Sequence, residues 1–277
     1  MDGPVTGPPC ARSQTRTWNV SDACGNAATA VGRTVTWTED TTAPTILTLT
    51  GPTGPLPIGS SATVTVSFSD NCSPVQSVLF NWDGGAPDTT LLAPTSPASA
   101  SLTFTIAGVY SVGVTVIDGC GNSAYQVFQF VVIYDPSAGF VTGGGWINSG
   151  AGAYVANPGL TGKANFGFVS KYAKGANVPT GETEFQFQVG NLNFHSTVYE
   201  WLVIAGTKAQ YKGSGTINGT GNYGFLLTAT DGTPDKFRIK IVDKTTSLSV
   251  YDNAPSSDDI NTSAQTAIGG GSIVIHK

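Results

Sequence analysis

Charged side chains are scarce in this sequence. Asp, Glu, Lys and Arg make up 11% of the 277 residues, and there is a single Met, whereas an average soluble protein is roughly 25% charged. In place of these helix-favouring residues the chain has 35 Gly and many Thr and Ser, and Val, Ile, Phe and Tyr recur in short alternating runs. The composition excludes a helical cytosolic enzyme and predicts an all-β protein.

Long apolar runs are also missing. No stretch of about 18 apolar residues occurs, so the sequence predicts no membrane span. The opening residues 1–4, Met-Asp-Gly-Pro, are not those of a signal peptide, and we expect any secretion signal to lie outside this chain. The length suits about two domains, each with its own core.

Positive charge is absent between Arg33 and Lys163. From Lys163 onward basic and acidic residues are nearly balanced. Because a nucleic-acid ligand requires cations to replace its counterions, the sequence predicts no nucleic-acid partner. The acidic residues of the cation-free stretch are Glu39, Asp40, Asp70, Asp83, Asp88, Asp118 and Asp135.

The four cysteines form two pairs along the chain. Cys10 and Cys24 precede the Thr-Thr-Ala-Pro junction at residues 41–44, and Cys72 and Cys120 follow it. An even count in a Thr- and Gly-rich β protein favours disulfides, which we predict between Cys10 and Cys24 and between Cys72 and Cys120. This usage predicts a secreted, extracellular protein. A zinc site is the weaker alternative, since no Cys-x-x-Cys occurs.

A five-residue turn pattern occurs twice. Residues 22–26, Asp-Ala-Cys-Gly-Asn, match residues 118–122, Asp-Gly-Cys-Gly-Asn, and each copy lies between two alternating segments. The separation is close to the length of one β-sandwich module. The composition is that of a tight turn in which the Asp side chain caps the backbone. Calcium ligation by this Asp is the alternative interpretation.

These residues also carry a resemblance to known families. Residues 16–26, followed by Thr-Glu-Asp-Thr-Thr-Ala-Pro at 38–44, resemble the end of a hyalin-type repeat of large secreted bacterial proteins. Residues 45–134 resemble a PKD-like, immunoglobulin-like module, although Trp-Asp-Gly-Gly at 82–85 departs from the usual Trp-Gly-Asp-Gly. The rest of the chain, with Gly-Gly-Gly-Trp-Ile at 143–147, is similar to a C-terminal module that often follows PKD repeats.

The resemblance and the strand pattern imply the same architecture. We predict tandem immunoglobulin-like β-sandwich modules followed by a larger, jelly-roll-like C-terminal β-sandwich. The predicted domains are a partial hyalin-type repeat at 1–43, a PKD-like sandwich at 44–134 and the C-terminal domain at 135–277. Five short alternating segments between residues 62 and 133 have the spacing of a sandwich.

Residues 1–43 contain only two strands, Thr15 to Val20 and Thr34 to Trp37, and a lone hairpin is marginally stable in water. One hypothesis is that they are the remnant of a longer repeat array, packed on the next domain. The other is that the hairpin pairs with a neighbouring subunit by β-strand addition, which would make the protein a homo-oligomeric fibre subunit. The predicted inter-subunit contact residues are Trp18, Val20, Val35 and Trp37.

Candidate catalytic residues occur in no recognisable motif. His195 and His276 belong to no Ser/His/Asp or metal pattern, and we expect both to face solvent. Glu182 and Glu184 lie two apart on one strand face, and residues 258–259, Asp-Asp, lie in a polar loop. Glycosidases need two carboxylates facing each other across a cleft. The sequence therefore predicts no enzyme and no catalytic residue.

Carbohydrate and calcium binding are the remaining ligand hypotheses. Exposed rings could stack on a sugar, but a place in the core is the preferred interpretation of the C-terminal aromatics. No Asp-x-Asp-x-Asp-Gly loop is present, so we predict no cofactor, with calcium as a weak signal. The aromatic residues are Trp146, Tyr154, Tyr172, Tyr199, Trp201, Tyr211, Tyr223 and Tyr251. The calcium candidates are Asp231, Asp235, Asp243, Asp252, Asp258 and Asp259.

Together these observations predict a non-catalytic extracellular or cell-surface protein with a structural or adhesive role. In the first hypothesis it is a surface-fibre subunit assembled by strand addition between chains. In the rival hypothesis it is a carbohydrate-binding accessory region of a secreted hydrolase.

Overall fold

A computed structural model describes residues 1–255, 264 and 266–276, and nearly all of its regular structure is β. The all-β prediction is confirmed. Two three-residue 3-10 turns, Pro9–Ala11 and Gln188–Gly190, complete the regular structure of the described residues.

The first ten strands lie before residue 135. They are β1 (Arg12–Trp18), β2 (Val31–Trp37), β3 (Thr45–Thr50), β4 (Leu56–Pro57), β5 (Ser61–Ser69), β6 (Val75–Trp82), β7 (Thr89–Leu92), β8 (Ala98–Thr103), β9 (Gly108–Asp118) and β10 (Ser123–Tyr134). The later strands are β11 (Phe140–Ser149), β12 (Gly162–Lys171), β13 (Thr180–Phe187), β14 (Leu192–Ala205), β15 (Lys208–Ile217), β16 (Thr220–Thr230), β17 (Lys236–Asp243), β18 (Ser249–Asp252), β19 (Thr266–Ala267) and β20 (Gly270–His276).

The strands of the described residues form four sheets. β1 and β2 form a two-stranded sheet, and β3-β5-β8 is a three-stranded sheet. The third sheet has the order β4-β10-β9-β6-β7. The fourth runs β18-β17-β16-β15-β14-β13-β12-β11-β20, with β19 paired to β17.

The C-terminal sheet is a meander, because β11 to β17 each pair with the next strand along the chain. Within the meander, the shortest connections, of two residues each, join β14 to β15 and β15 to β16. Asn218 and Gly219 both have positive φ, as the two-residue turn between β15 and β16 requires. The connectivity therefore differs from the predicted jelly roll, in which Greek-key connections join strands of two sheets.

The chain divides into two compact units. The first comprises Met1–Gly51, Thr63–Leu102 and Ser111–Gln129. The second comprises Pro52–Ala62, Thr103–Tyr110 and Phe130–Lys277. Each unit takes segments from more than one predicted domain, and the boundaries at 43/44 and 134/135 remain predictions.

The first unit is built on strands that alternate between buried and more exposed side chains. In β5 this alternation places every second residue from Val64 inside, as expected for a strand with one apolar face. β6 and β9 contribute in the same way. The buried residues of these three strands include Val64, Val66, Phe68, Val78, Phe80, Trp82, Val112, Val114 and Val116.

The second unit has an aromatic core. The rings of Phe166 and Phe237 stack with centroids 4.1 Å apart. Thr183 Oγ1 lies 2.6 Å from the Tyr199 hydroxyl and 3.1 Å from that of Tyr211. Complete burial raises the pKa of Tyr211, so these hydroxyls form a neutral network inside an apolar cluster.

Two glycine runs lie side by side where β11 pairs with β20. A Cβ at Gly145 would overlap the carbonyl of Gly270, and one at Gly271 would overlap that of Gly144. Glycine is therefore required by the close approach of the two backbones.

A second apolar cluster in this unit joins residues distant in sequence. Tyr134 stacks on Tyr172 with ring centroids 5.1 Å apart. The Tyr172 hydroxyl donates to the Leu202 carbonyl and accepts from the Leu202 N–H, both at 3.0 Å. Burial raises the pKa of Tyr172 to about 12. The buried residues of this cluster are Val109, Val132, Tyr134, Trp201 and Val203.

Candidate functional site

The disulfide of the structure joins Cys10 to Cys72, with the two Cα atoms 5.0 Å apart. Cys24 and Cys120 are free, exposed thiols. The predicted pairs Cys10–Cys24 and Cys72–Cys120 are therefore wrong.

The backbone before β1 explains this pairing. The Pro9 carbonyl accepts a hydrogen bond from the Glu39 N–H at 2.8 Å. The next residue, Asp40, accepts one from the Ser73 hydroxyl, also at 2.8 Å. Cys10 is thus held beside the 70–73 loop, within the short Cα separation that a disulfide needs. Cys24 lies instead in the connection after β1.

In the N-terminal sheet, the outer edge of β2 pairs with no other strand of the described residues. Along β1 the odd-numbered residues bond to the N-terminal segment: the Gly3 N–H donates to the Thr15 carbonyl, and Ser13 exchanges two bonds with Thr6. The backbone N–H and C=O groups of the even-numbered residues therefore point toward β2. In that register the backbone groups of Gly32, Thr34 and Thr36 point away from β1. β2 is exposed at every residue.

The four predicted inter-subunit residues are all exposed: Trp18 by 49%, Val20 by 67%, Val35 by 54% and Trp37 by 37%. Trp18, Val35 and Trp37 share one face of the sheet, whereas Val20 lies beyond the end of β1.

All three cations of the N-terminal part lie on this same face. In the β1–β2 register, Arg16 pairs with Arg33 and Arg12 with Trp37. Arg12 Nε donates to Glu39 at 2.8 Å, and Arg16 forms an ion pair with Asp2. We call this surface, formed by Arg12, Arg16, Trp18, Arg33, Val35 and Trp37, the hairpin face; part of it lines a groove of about 280 Å³.

Three carboxylates meet in the first unit. One oxygen each of Asp40, Asp70 and Asp118 lies within 4.8 Å of the other two. Asp118 is fully buried and Asp40 is 8% exposed. We call these three residues the carboxylate junction.

Each carboxylate of the junction also caps its own turn. Asp40 Oδ1 accepts from the Thr42 N–H, and Asp70 Oδ1 accepts from the N–H groups of Cys72 and Ser73, all at 2.9 Å. Asp118 Oδ1 accepts from Cys120 at 2.9 Å and from Asn122 at 2.8 Å. These local bonds fix the orientation of each side chain.

Hydrogen bonds keep two members of the junction ionised. Burial acts to raise the pKa of Asp118, but bonds from the Asn122 side chain and backbone outweigh it and lower the pKa. The Thr42 N–H and the Ser73 hydroxyl lower the pKa of Asp40, although the charge of Asp118 opposes them. The junction therefore concentrates negative charge.

The repeated turn pattern pointed to Asp118, but its association with Asp40 and Asp70 was not predicted. The sequence contains part of the information. Asp40 is the first residue of the Asp-Thr-Thr-Ala-Pro segment, and Asp70 lies two residues before a cysteine. Because the three residues come from separate segments, no single spacing pattern contains them.

The other copy of the turn offers a contrast. Asp22 Oδ1 accepts from Cys24 at 2.9 Å and from Asn26 at 2.8 Å, and Asn26 Nδ2 donates to Asp22 Oδ2 at 2.8 Å. These bonds lower the pKa of Asp22, led by the one from the Asn26 side chain. The turn is exposed, so the capping role predicted for this Asp is present without the junction.

The candidate catalytic residues lie on the C-terminal sheet. His195 Nδ1 is 3.2 Å from Glu184 Oε1, its cross-strand neighbour, and both side chains are about two-fifths exposed. Glu182 lies on the same strand face and is exposed. His276 is half-buried; its ring stacks on Phe140 with centroids 4.1 Å apart. Asp258 and Asp259 lie outside the described residues.

The eight aromatic residues considered for carbohydrate binding do not form an exposed row. Tyr199, Trp201, Tyr211 and Tyr251 are buried, and the other four are half-buried. Lys163 Nζ lies 4.9 Å from the ring centre of Trp146. These positions agree with a place in the core.

The described calcium candidates of the C-terminal part have structural partners. Asp231 Oδ2 accepts from the Ile275 N–H at 3.0 Å, and Asp235 Oδ2 accepts from that of Ile273 at 2.8 Å. Asp243 Oδ1 accepts from the Thr245 N–H at 2.7 Å. Asp252 forms a buried ion pair with Arg238, with the Nη2–Oδ2 distance at 2.9 Å. These carboxylates hold separate loops and strands.

No family model matches this chain, and no curated protein matches it. The resemblance to hyalin-type and PKD-like repeats therefore stays a prediction. None of the helices in the described residues is long and apolar enough to cross a membrane.

Proposed function

We propose that this chain is a non-catalytic extracellular structural or adhesive protein, whose copies assemble into a surface fibre by β-strand addition. The observation that carries the proposal is the open edge of β2. Unpaired backbone groups along a strand edge are a template for another strand, and the alternation of side chains sets the register.

The distribution of charge favours a second copy of this chain as the partner that pairs with β2. The hairpin face carries every cation that precedes Lys163, whereas residues 34–162 carry seven acidic residues and no Lys or Arg. Arg12 and Arg16 pair with Glu39 and Asp2 of the same chain, and Arg33 is the third cation that this aromatic face presents to the cation-free, acidic region of the next copy. Complementary charge speeds encounter and sets orientation, while burial of Trp18 and Trp37 would supply the affinity.

We further propose that residues 44–134 form an immunoglobulin-like sandwich of a repeat protein. Two features support this. The sheet β3-β5-β8 and the sheet β4-β10-β9-β6-β7 both arise from this segment, and strands in both turn alternate apolar residues inward. The repeated Asp-x-Cys-Gly-Asn turn suits tandem modules in secreted proteins.

A proline on the open edge tests the assembly. Thr36→Pro removes an outward-facing N–H without removing a β1–β2 ladder bond, because Thr36 points away from β1. We expect wild-type protein to form ordered fibres in electron micrographs and to sediment as a polymer at high concentration. The Thr36→Pro protein should remain monomeric.

Thr36→Ala is the matched control, since it keeps the N–H and should still form fibres. Deletion of residues 1–43 should also abolish polymerisation. A wild-type chain that stays monomeric at high concentration would contradict the proposal. So would fibres from Thr36→Pro equal to those from Thr36→Ala, and the remnant hypothesis for residues 1–43 would then stand.

A further inference from the structure

The carboxylate junction brings three acidic side chains together, although one carboxylate is enough to cap the Asp-x-Cys-Gly-Asn turn. The exposed copy of the turn makes the same capping bonds with Asp22 alone. In the buried copy, Asp40 and Asp70 approach Asp118 as well. Like charges at this spacing repel one another more strongly when shielded from water. Their convergence therefore calls for a compensating positive charge.

Asp70 supplies an independent indication of a ligand. Its Oδ1 caps the 70–73 turn, but its Oδ2 is buried from solvent and has no hydrogen-bond partner among the described residues. A buried carboxylate oxygen without a partner is costly in a folded protein. Residues 34–162 contain no Lys or Arg that could serve as this partner.

We propose that the carboxylate junction binds a divalent cation, and that its ligand chemistry selects Ca²⁺. Asp40, Asp70 and Asp118 offer hard oxygen ligands; Cys72 is closed in a disulfide, and the free thiol of Cys120 does not belong to this group of converging side chains. Such a ligand set disfavours zinc. Ca²⁺ accepts six to eight oxygens in irregular geometry, whereas Mg²⁺ demands a near-ideal octahedron.

One of the three proposed ligands, Asp70, also lines a neighbouring cavity. A cavity of about 650 Å³, lined by residues 68–75 and by 93–95, opens beside Asp70. Ca²⁺ sites commonly include water among their ligands, so water would complete the coordination that three carboxylates begin. The bound ion would link three parts of the chain: the segment before β3, the loop after β5 and the turn after β9. This proposal does not rest on fibre assembly.

Calorimetric titration of the full chain with CaCl₂, after dialysis against EDTA, tests the site. We expect saturable binding of one ion per chain with a Kd of about 0.1–1 mM, the range of extracellular calcium modules. Mg²⁺ should bind more weakly. Saturating Ca²⁺ should raise the melting temperature by a few degrees.

Asp70→Asn is the decisive variant, because an amide oxygen can still cap the turn while the charge is lost. We expect its affinity for Ca²⁺ to fall about tenfold or more, since ligand charge sets the affinity of such sites. Asp22→Asn is the matched control and should bind like wild type. Asp40→Asn serves as the second variant, with the fold of each checked by circular dichroism.

Three results would overturn the proposal. The first is an absence of saturable Ca²⁺ binding to the wild-type chain. The second is binding by folded Asp70→Asn and Asp40→Asn that equals wild type. The third is an equal loss in Asp22→Asn, which would indicate diffuse attraction to acidic residues. Mg²⁺ binding as tight as Ca²⁺ binding would overturn the choice of metal.

Discussion

The two copies of the Asp-x-Cys-Gly-Asn turn have the same internal bonds and opposite surroundings. In residues 22–26 the turn is exposed, and its carboxylate serves only the turn. In residues 118–122 the equivalent carboxylate is fully buried and meets two others. A local sequence therefore determines the turn, while the segments packed around it determine whether it also forms part of a site.

The largest expected effect concerns the disulfide that ties the N-terminal segment to the 70–73 loop. The double change Cys10→Ser and Cys72→Ser opens a loop spanning 62 residues and should lower the free energy of unfolding by about 4 kcal/mol. Denaturant unfolding measures this.

The free thiols of the two turns provide the control. Changing Cys24 and Cys120 to Ser together should leave stability nearly unchanged, and iodoacetamide should label these two cysteines alone in the unreduced protein. If this pair of changes proves to be the destabilising one, or if Cys10 is labelled, the disulfide connectivity is not the one described.

A smaller effect is expected from the turn carboxylates themselves. Asp118→Ala removes a buried acceptor and leaves the N–H groups of Cys120 and Asn122 without their partner, which should cost about 2–3 kcal/mol of unfolding free energy. Asp22→Ala removes the same bonds where water can replace them, so its cost should be clearly smaller. Equal losses in the two variants, measured by urea unfolding, would remove the distinction between the copies.

The smallest effect is the pH dependence of the junction. The pKa of Asp40 and of Asp118 is lowered in the folded chain, so folding favours the ionised form. This stabilisation is complete above the unfolded pKa of about 4 and is lost as the pH falls through and below that value. Melting temperatures measured in EDTA from about pH 7 to pH 3 should decline less steeply in Asp118→Asn than in wild type. Parallel declines would contradict this assignment.

Periodicity predicted much of the fold. The alternating segments between residues 62 and 133 are a local signal, and the structure places β5, β6, β8, β9 and β10 in that range. The exposure of Trp18 and Trp37 also follows from a hairpin with few covering strands. The disulfide did not follow, because Cys10 is positioned by a bond between Pro9 and Glu39 that no local pattern indicates.

The carboxylate junction could not be predicted from the sequence for a related reason. Its three residues are 30 and 48 positions apart along the chain, and each has a sufficient local explanation as a turn cap. Only the packing of three segments reveals that the caps converge.

The cation-free stretch has a consequence for proteolysis. Trypsin-like proteases cut after Lys or Arg, and residues 34–162 contain neither. This part of the chain therefore offers such proteases no cleavage site even when a strand opens transiently. This resistance follows from the amino-acid composition and would persist after denaturation, whereas cleavage stays possible after the three Arg residues of the hairpin face and after the Lys and Arg residues from Lys163 onward.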